Sequence, residues 1–240
     1  MFRFACAAVL FASMLSAAFA REIEFSSQQW LVRSSEGQLA GPGPNIFSDS
    51  PDLVNVDADG KLHLSIRKVG ASWTCSEVVL SKPSGYGTYE IEIEINPYGM
   101  DRQVVFGFFT YSSSAEQSHR ELDVELSYWG KPAEARNAQF VVQPSDLPGS
   151  ISRFEVNHSA TIYKIHWTEG VVAFTAKEVG GQVISHWVRA ENIPEPGDAR
   201  LNMNLWLEKG KAPQNNQPVE FVIKRFIFIP EIDELNNQGG

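Results

Sequence analysis

The chain is predicted to be all-β, a sandwich of two packed antiparallel sheets. Apolar residues recur at alternate positions in short runs, as in Leu62, Leu64 and Ile66 or in Ile91, Ile93 and Ile95, which is the period of a half-buried strand. Gly, Pro, Asn and Asp separate those runs, with Asp59-Gly60 and Gly180-Gly181 as hairpin turns, because these residues reach turn geometries with least strain. No segment of useful length repeats its apolar residues at helical spacing, and many short strands without helices imply two sheets covering one core.

Taken in order, Arg3 precedes an apolar run from Phe4 that ends in Ala18-Phe19-Ala20, a small-x-small pattern. Residues 1–20 are therefore expected to be a signal peptide, with the mature chain starting at Arg21; an uncleaved membrane anchor is the alternative. Residues 22–25 are strand-like, residues 34–44 are turn-rich, and strands are expected at 53–56, 61–68 and 73–81. Gly85-Tyr86-Gly87 opens a long strand at 88–95. Residues 103–111 read as a central strand apolar on both faces, and 112–118 as a polar loop. Further strands are expected at 138–143, 161–167, 171–177, 183–188, 200–207 and 219–229, with a Pro-rich link at 193–197. Residues 231–240 are polar and end in Gly-Gly, a tail. With 240 residues and 43% hydrophobic content, residues 21–230 make one domain.

A formal net charge of −9 argues against nucleic acid as a partner, since phosphates need Lys/Arg stripes. Export would permit disulfides, but Cys6 lies in the leader and leaves Cys75 unpaired, so the fold must stand without one and Cys75 is expected to be a buried, inert thiol. His63, His119, His158, His166 and His186 show no metal-ligand spacing.

The chemistry is placed at Glu121-Leu122-Asp123-Val124-Glu125-Leu126. On a strand the three acids share one face over an apolar layer. The outer Cα atoms are about 13 Å apart at ~3.3 Å per residue. Two glutamates leaning inward on a concave sheet bring a carboxyl separation of about 5–5.5 Å, the value for retaining glycosidases, within reach. Spacing alone does not decide this, because Glu90, Glu92 and Glu94 alternate in the same way over an isoleucine stripe; that strand is read as half-buried with a solvated acidic face. The shorter central Asp and the surrounding sequence separate the two.

The Glu-aliphatic-Asp-aliphatic-Glu motif resembles that of glycoside hydrolase family 16, the lichenases, laminarinases and related β-glycanases. The resemblance extends to Gly60-Lys61-Leu62-His63-Leu64, Gly85-Tyr86-Gly87-Thr88-Tyr89-Glu90, Phe108-Phe109-Thr110-Tyr111 and Met203-Asn204-Leu205-Trp206, in the family's order. It implies a jelly-roll sandwich of the concanavalin A-like kind, with Glu121 as nucleophile, Glu125 as general acid/base and Asp123 as the assisting carboxylate. Like charges nearby would hold a proton on Glu125. The resemblance also implies substrate contacts from Glu77, Phe109, Tyr111, His119, Asn204 and Trp206, with no cofactor.

Several positions depart from the lichenase pattern. Val79 stands in place of an Arg, His119 in place of an aromatic residue, and Val141 and Gln143 in place of a substrate-gripping Asn and Tyr. A different glycan is implied. Where family members often hold a structural calcium through an Asp of the last strand, this chain has Arg225, whose cationic head would repel a cation, so no metal is expected from that site. The function expected is a monomeric, secreted or periplasmic retaining endo-β-glycanase acting on a polysaccharide, β-glucan first, with no nucleic-acid partner and no membrane association after cleavage of the leader. A non-catalytic carbohydrate-binding sandwich and a transglycosylase using the same carboxylates are the alternatives.

Overall fold

The structure, a computed structural model, describes residues 18–231. In one sheet the strands lie antiparallel in the order β11 (Ile151–Phe154), β10 (Ala138–Val142), β9 (Leu122–Ser127), β8 (Val104–Tyr111), β15 (Arg200–Leu207), β6 (Ser72–Leu80), β2 (Gln28–Ser34) and β1 (Ala18–Phe25). The second sheet runs β4 (Val54–Val56), β5 (Leu62–Val69), β16 (Val219–Pro230), β7 (Gly87–Ile93), β12 (Thr161–Thr168), β13 (Val171–Glu178) and β14 (Val183–Arg189). The hairpin of β5 and β6, paired from Arg67 with Thr74 to Val69 with Ser72, carries the chain from one sheet to the other. The short β3 (Ile46–Phe47) adds to β6 in parallel. The architecture is the expected antiparallel sandwich of jelly-roll type.

Alternation builds the core. In β9, Leu122, Val124 and Leu126 are fully buried between the sheets, each contributing on the order of 1.5–3 kcal/mol by leaving water. Rings bridge the layers: Phe106 of the first sheet stacks on Phe221 of the second at 5.0 Å, and Phe140 on Phe174 at 5.2 Å. Because the strand period is two, burying that leucine and valine stripe forces the intervening acids onto the outer face of the first sheet. Glu121 itself lies just before β9 but is extended, with φ −95° and ψ 123°, so the alternation reaches it.

The expected strands are present with ends displaced by one or two residues, except β1, which begins four residues before the expected start at 22, and three more exist. For β2 a signal was available, since Trp30 and Val32 alternate and both are fully buried. In β11 the burial pattern shows no alternation; it is an edge strand held by pairing with β10 alone. Two-residue β3 is too short to carry a period.

The Glu90–Glu92–Glu94 strand departs from expectation. Its isoleucines face the core, but its acids are not simply solvated. Glu92, only 5% exposed, is held by Lys224 Nζ at 2.8 Å and Arg225 Nε at 2.7 Å, while Glu90 meets Lys164 at 3.1 Å and Glu94 meets Lys61 at 2.7 Å. The cations come from β12, β16 and the residue before β5, so the outer face of the second sheet is a salt-bridged layer.

Cys75 is a buried free thiol, pushed up to about 12 by burial and therefore unreactive at neutral pH. The leader and tail expectations fall largely outside the described residues; residues 18–20 open β1, where Ala18 pairs with Ser34 and Phe19 with Arg33. Among the described residues no helix is long and apolar enough to cross a membrane.

Candidate active site

Five strands set the floor around the acids. On β9, Glu125 lies opposite Gly107 of β8 and Gln139 of β10, and Asp123 lies opposite Phe109 and Val141. On β15, Asn204 lies opposite Gly107 on one side and Glu77 of β6 on the other, and Trp206 lies opposite Val105. Glu121, Asp123, Glu125, Phe109, Asn204 and Glu77 therefore share the face turned away from the core. A Cβ at Gly107 would come within 2.6 Å of Asn204 Oδ1. Its absence leaves the space beside Glu125 that a larger residue would fill.

The acids are held by amides and by one another. Gln139 Nε2 donates to Glu125 Oε2 at 2.6 Å, and Gln143 Nε2 donates to Asp123 Oδ2 at 3.1 Å. Glu121 and Glu125 keep partial access to solvent, whereas Asp123 is 3% exposed. Burial pushes Glu125 up to about 7, opposed by the Gln139 hydrogen bond and assisted by the charge of Glu121. Burial is thus the main cause, ahead of the like-charge repulsion expected from the sequence. Asp123 is raised well above the ordinary carboxylate range by burial and then by the flanking glutamates. Its interaction with Glu121 raises Asp123 further and lowers Glu121, against the burial that raises Glu121. The arrangement supplies one carboxyl pushed up to about 7 and a second that its neighbour lowers against burial, so the environments of Glu125 and Glu121 differ in the way that acid and nucleophile chemistry needs.

The other predicted residues divide into two groups. Phe109 and Tyr111 lie edge-to-face at 6.5 Å, and Tyr111, 37% exposed, stacks on His119 at 5.0 Å with 10° between planes. These three form an aromatic wall beside Glu121. Its apolar faces can receive the C–H face of a sugar. Glu77 and Asn204 are instead buried in the floor. Arg33 Nη1 donates to Glu77 Oε2 at 2.9 Å and stands 4.3 Å over the ring of Phe47, and Asn204 Nδ2 donates to the same Glu77 oxygen at 3.3 Å. Trp206 is 9% exposed and meets Trp129 edge-to-face at 6.2 Å, so little of its ring faces outward.

Sequence reasoning missed Arg33, Gly107 and Gln139, and saw Gln143 only as a departure. Gln139, Val141 and Gln143 are alternate residues of one run, a signal that placed against β9 could have identified the two amides. Arg33 reaches the site from β2, the strand signalled by the alternation of Trp30 and Val32, but nothing in that signal pairs it with Glu77.

The segment entering the site is strained. Residues 117–120 all have positive φ, between 48° and 61°, a conformation that costs about 1–2 kcal/mol per non-Gly residue. Arg120, 9% exposed, anchors it by donating to Glu195 O at 2.8 Å and Glu116 Oε2 at 3.1 Å, while Glu195 N donates to Gln117 Oε1 at 2.6 Å. Among the described residues no cluster of three or more His, Cys, Asp or Glu could hold a metal ion. Arg225, at the position where a calcium ligand was considered, binds Glu92 and Glu90.

The fold is shared with solved β-glycanase structures. A β-glucanase of Bacillus licheniformis superposes with a TM-score of 0.64 at 18% identity, covering 83% of this chain and 92% of that one. A β-1,3-1,4-glucanase (lichenase) from a mouse hindgut metagenome gives 0.63 at 17% identity, covering 87% and 96%. An immunostimulatory antigen and pseudo β-1,3-glucanase of Mycobacterium tuberculosis gives 0.63 at 16% identity, covering 85% and 91%. No family model and no curated protein sequence matches the chain. At these identities the likeness establishes the fold.

Proposed function

We propose that this protein is a retaining endo-β-glycanase that cleaves internal bonds of a polysaccharide, β-glucan first, by double displacement. The observation that carries this reading is the geometry of one strand face, where Glu121, Asp123 and Glu125 stand side by side with Gln139 Nε2 donating to Glu125 at 2.6 Å and Gln143 Nε2 donating to Asp123 at 3.1 Å, and where burial pushes Glu125 up to about 7. Glu125 gives its proton to the leaving sugar oxygen as Glu121 attacks the anomeric carbon. Glu125, then ionised, takes a proton from water, which attacks the same carbon and frees Glu121 with net retention. Asp123 orients Glu121 throughout. Gln139 holds Glu125 in both protonation states, and the wall of Phe109, Tyr111 and His119 receives a sugar face. No cofactor takes part. The two proteins of the same fold that are a β-glucanase and a β-1,3-1,4-glucanase support a glucan substrate.

Export follows from the same reading. Arg3, the apolar run and Ala18-Phe19-Ala20 support a leader that delivers a monomeric enzyme to the periplasm or the medium. Cleavage after residue 20 leaves the pairing of β1 with β2 intact from Arg21 to Phe25.

The test is a digest of linear and mixed-linkage glucans and galactans with mass-spectrometric product analysis. Oligosaccharide release that disappears in Glu121→Gln supports the assignment; no cleavage and no transfer product across the panel overturns it. A second reading, a sandwich that binds glycans without turnover, is favoured by one observation: a protein of the same fold is described as a pseudo β-1,3-glucanase. Glycan binding by the wild type without cleavage would select it. Products longer than the substrate in the presence of an added acceptor would select transglycosylation.

A further inference from the structure

Beside the acids, at the entry end of β9, lies a hollow of about 380 Å³ between the 117–118 turn, the 143–147 segment and the 192–195 loop. Its size falls within the ~300–1,000 Å³ of small-molecule sites. Two features join it to the catalytic face. Gln143 belongs to both, since its side chain lines the hollow and donates to Asp123, and its backbone N–H donates to Glu121 O at 3.2 Å. The residues at 117–118 are in the strained turn that leads directly into Glu121. A group projecting from a sugar seated over Glu121, toward the start of β9, would enter this space.

We propose that the hollow receives a neutral monosaccharide branch carried by the polysaccharide at or next to the cleaved unit; this rests on the reading of the triad as a glycan-binding site. The chemistry of the lining selects the ligand class. Pro144, Leu147, Ile193 and Pro194 offer apolar surface to sugar C–H faces; the Asn192 amide and the Gln117 Nε2 offer hydrogen bonds to hydroxyls, while Gln117 Oε1 is taken by Glu195 N and the Gln143 amide by Asp123 and Ser145 N. Neither Lys nor Arg lines it, and the cations of the adjoining loops are engaged, Arg120 by Glu195 O and Glu116 and Arg189 by Gly149 O and Glu191. With Glu195 as the one formal charge in the lining and a net charge of −9 for the chain, a sulfated or uronic branch would be repelled. The turn and the 192–195 loop are tied by reciprocal bonds through Arg120 and Gln117, so the hollow is built in advance of any ligand.

The experiment uses matched oligosaccharide pairs: a linear β-1,3-glucan chain with and without one β-1,6-glucosyl branch, and a β-1,4-glucan chain with and without one α-1,6-xylosyl branch. Binding to the full chain carrying Glu121→Gln is measured by calorimetry, and cleavage by the wild type in parallel. The account predicts that in at least one pair the branched member binds about tenfold more tightly. Leu147→Trp, which fills the hollow from a position already 39% exposed, should abolish that preference and leave the linear member unaffected. Asn192→Gly, which removes an amide and suits the positive φ of 56° there, should reduce the preference several-fold. The hollow is not a branch site if no pair shows a preference, or if Leu147→Trp leaves one unchanged. Calorimetry decides the point even where no cleavage occurs, so a failure of the branch site and a failure of the hydrolase reading give different results.

Discussion

Two strands of this protein carry three acids at alternate positions over an apolar stripe, and the molecule treats them in opposite ways. On β7 and the residue that follows it, Glu90, Glu92 and Glu94 are met by Lys164, Lys224, Arg225 and Lys61. Burial raises Glu92, and the hydrogen bonds from Lys224 and Arg225 more than cancel it, leaving it below the ordinary carboxylate value. At β9, Glu121, Asp123 and Glu125 are met by Gln139, Gln143 and one another, and all three are raised. Acids at the same spacing become a structural layer when cations neutralise them and a proton-handling device when only neutral donors do. What distinguishes the two lies on the neighbouring strands.

The sharpest way to break this comparison is to remove one charge from each strand. Glu125→Gln should lower kcat by roughly 10²–10⁴-fold, the range for a general acid, and Glu121→Gln by at least as much. Glu92→Gln should change it less than twofold. Initial rates on the best substrate of the glycan panel settle this, and comparable losses from both strands would erase the distinction.

Stability should move in the reverse sense. Glu125 has a folded pKa of about 7 against an ordinary 4.5, so its contribution to stability is fully present below about 4.5 and is lost as pH rises through 7. Glu125→Gln should therefore stabilise the fold at pH 8, by on the order of 2 kcal/mol, and do little at pH 4. Glu92, with a lowered pKa, contributes above its ordinary value and loses that contribution as pH falls. Glu92→Gln should cost about 1–2 kcal/mol at pH 7, because its cations stay partly exposed, and less in acid. Thermal melts across pH report both.

Gly107→Ala tests the floor between Glu125 and Asn204. The added Cβ meets Asn204 Oδ1 at 2.6 Å, and Asn204 is held by Glu77, so overpacking should cost about 1–3 kcal/mol and raise KM. An unchanged melting temperature and KM would show that the floor yields. The smallest effect is a displaced pH profile. Gln139→Ala removes the hydrogen bond that holds the pKa of Glu125 down, so the alkaline limb of kcat, set by loss of the Glu125 proton, should move to higher pH. A shift to lower pH would mean that Gln139 stabilises the protonated form.

The fold was largely legible because alternation is local. Leu122, Val124 and Leu126 read as a core stripe and are one, and the same rule placed the three acids on the other face. The sequence also distinguished the two acidic strands, but not for the right physical reason: it assigned the decoy to solvent and missed Lys224 and Arg225, which reach Glu92 from more than 130 positions away. Non-local partners account for the other omissions. Gln139 and Arg33 touch the site through strand pairings that a single chain segment does not declare, and the buried amide donors of a carboxylate look, in sequence, like any polar residue on a strand.

The most direct test is covalent trapping. Incubation of the wild type with a 2-deoxy-2-fluoro glycoside of the preferred glycan unit, carrying an activated leaving group, slows the second displacement more than the first once the glycosyl-enzyme has formed, and peptide mass spectrometry then locates the label. The account predicts one added glycosyl unit on Glu121, formed in the wild type and absent in Glu121→Gln. A label on another residue, or hydrolysis of the natural glycan with inverted anomeric configuration, would contradict it.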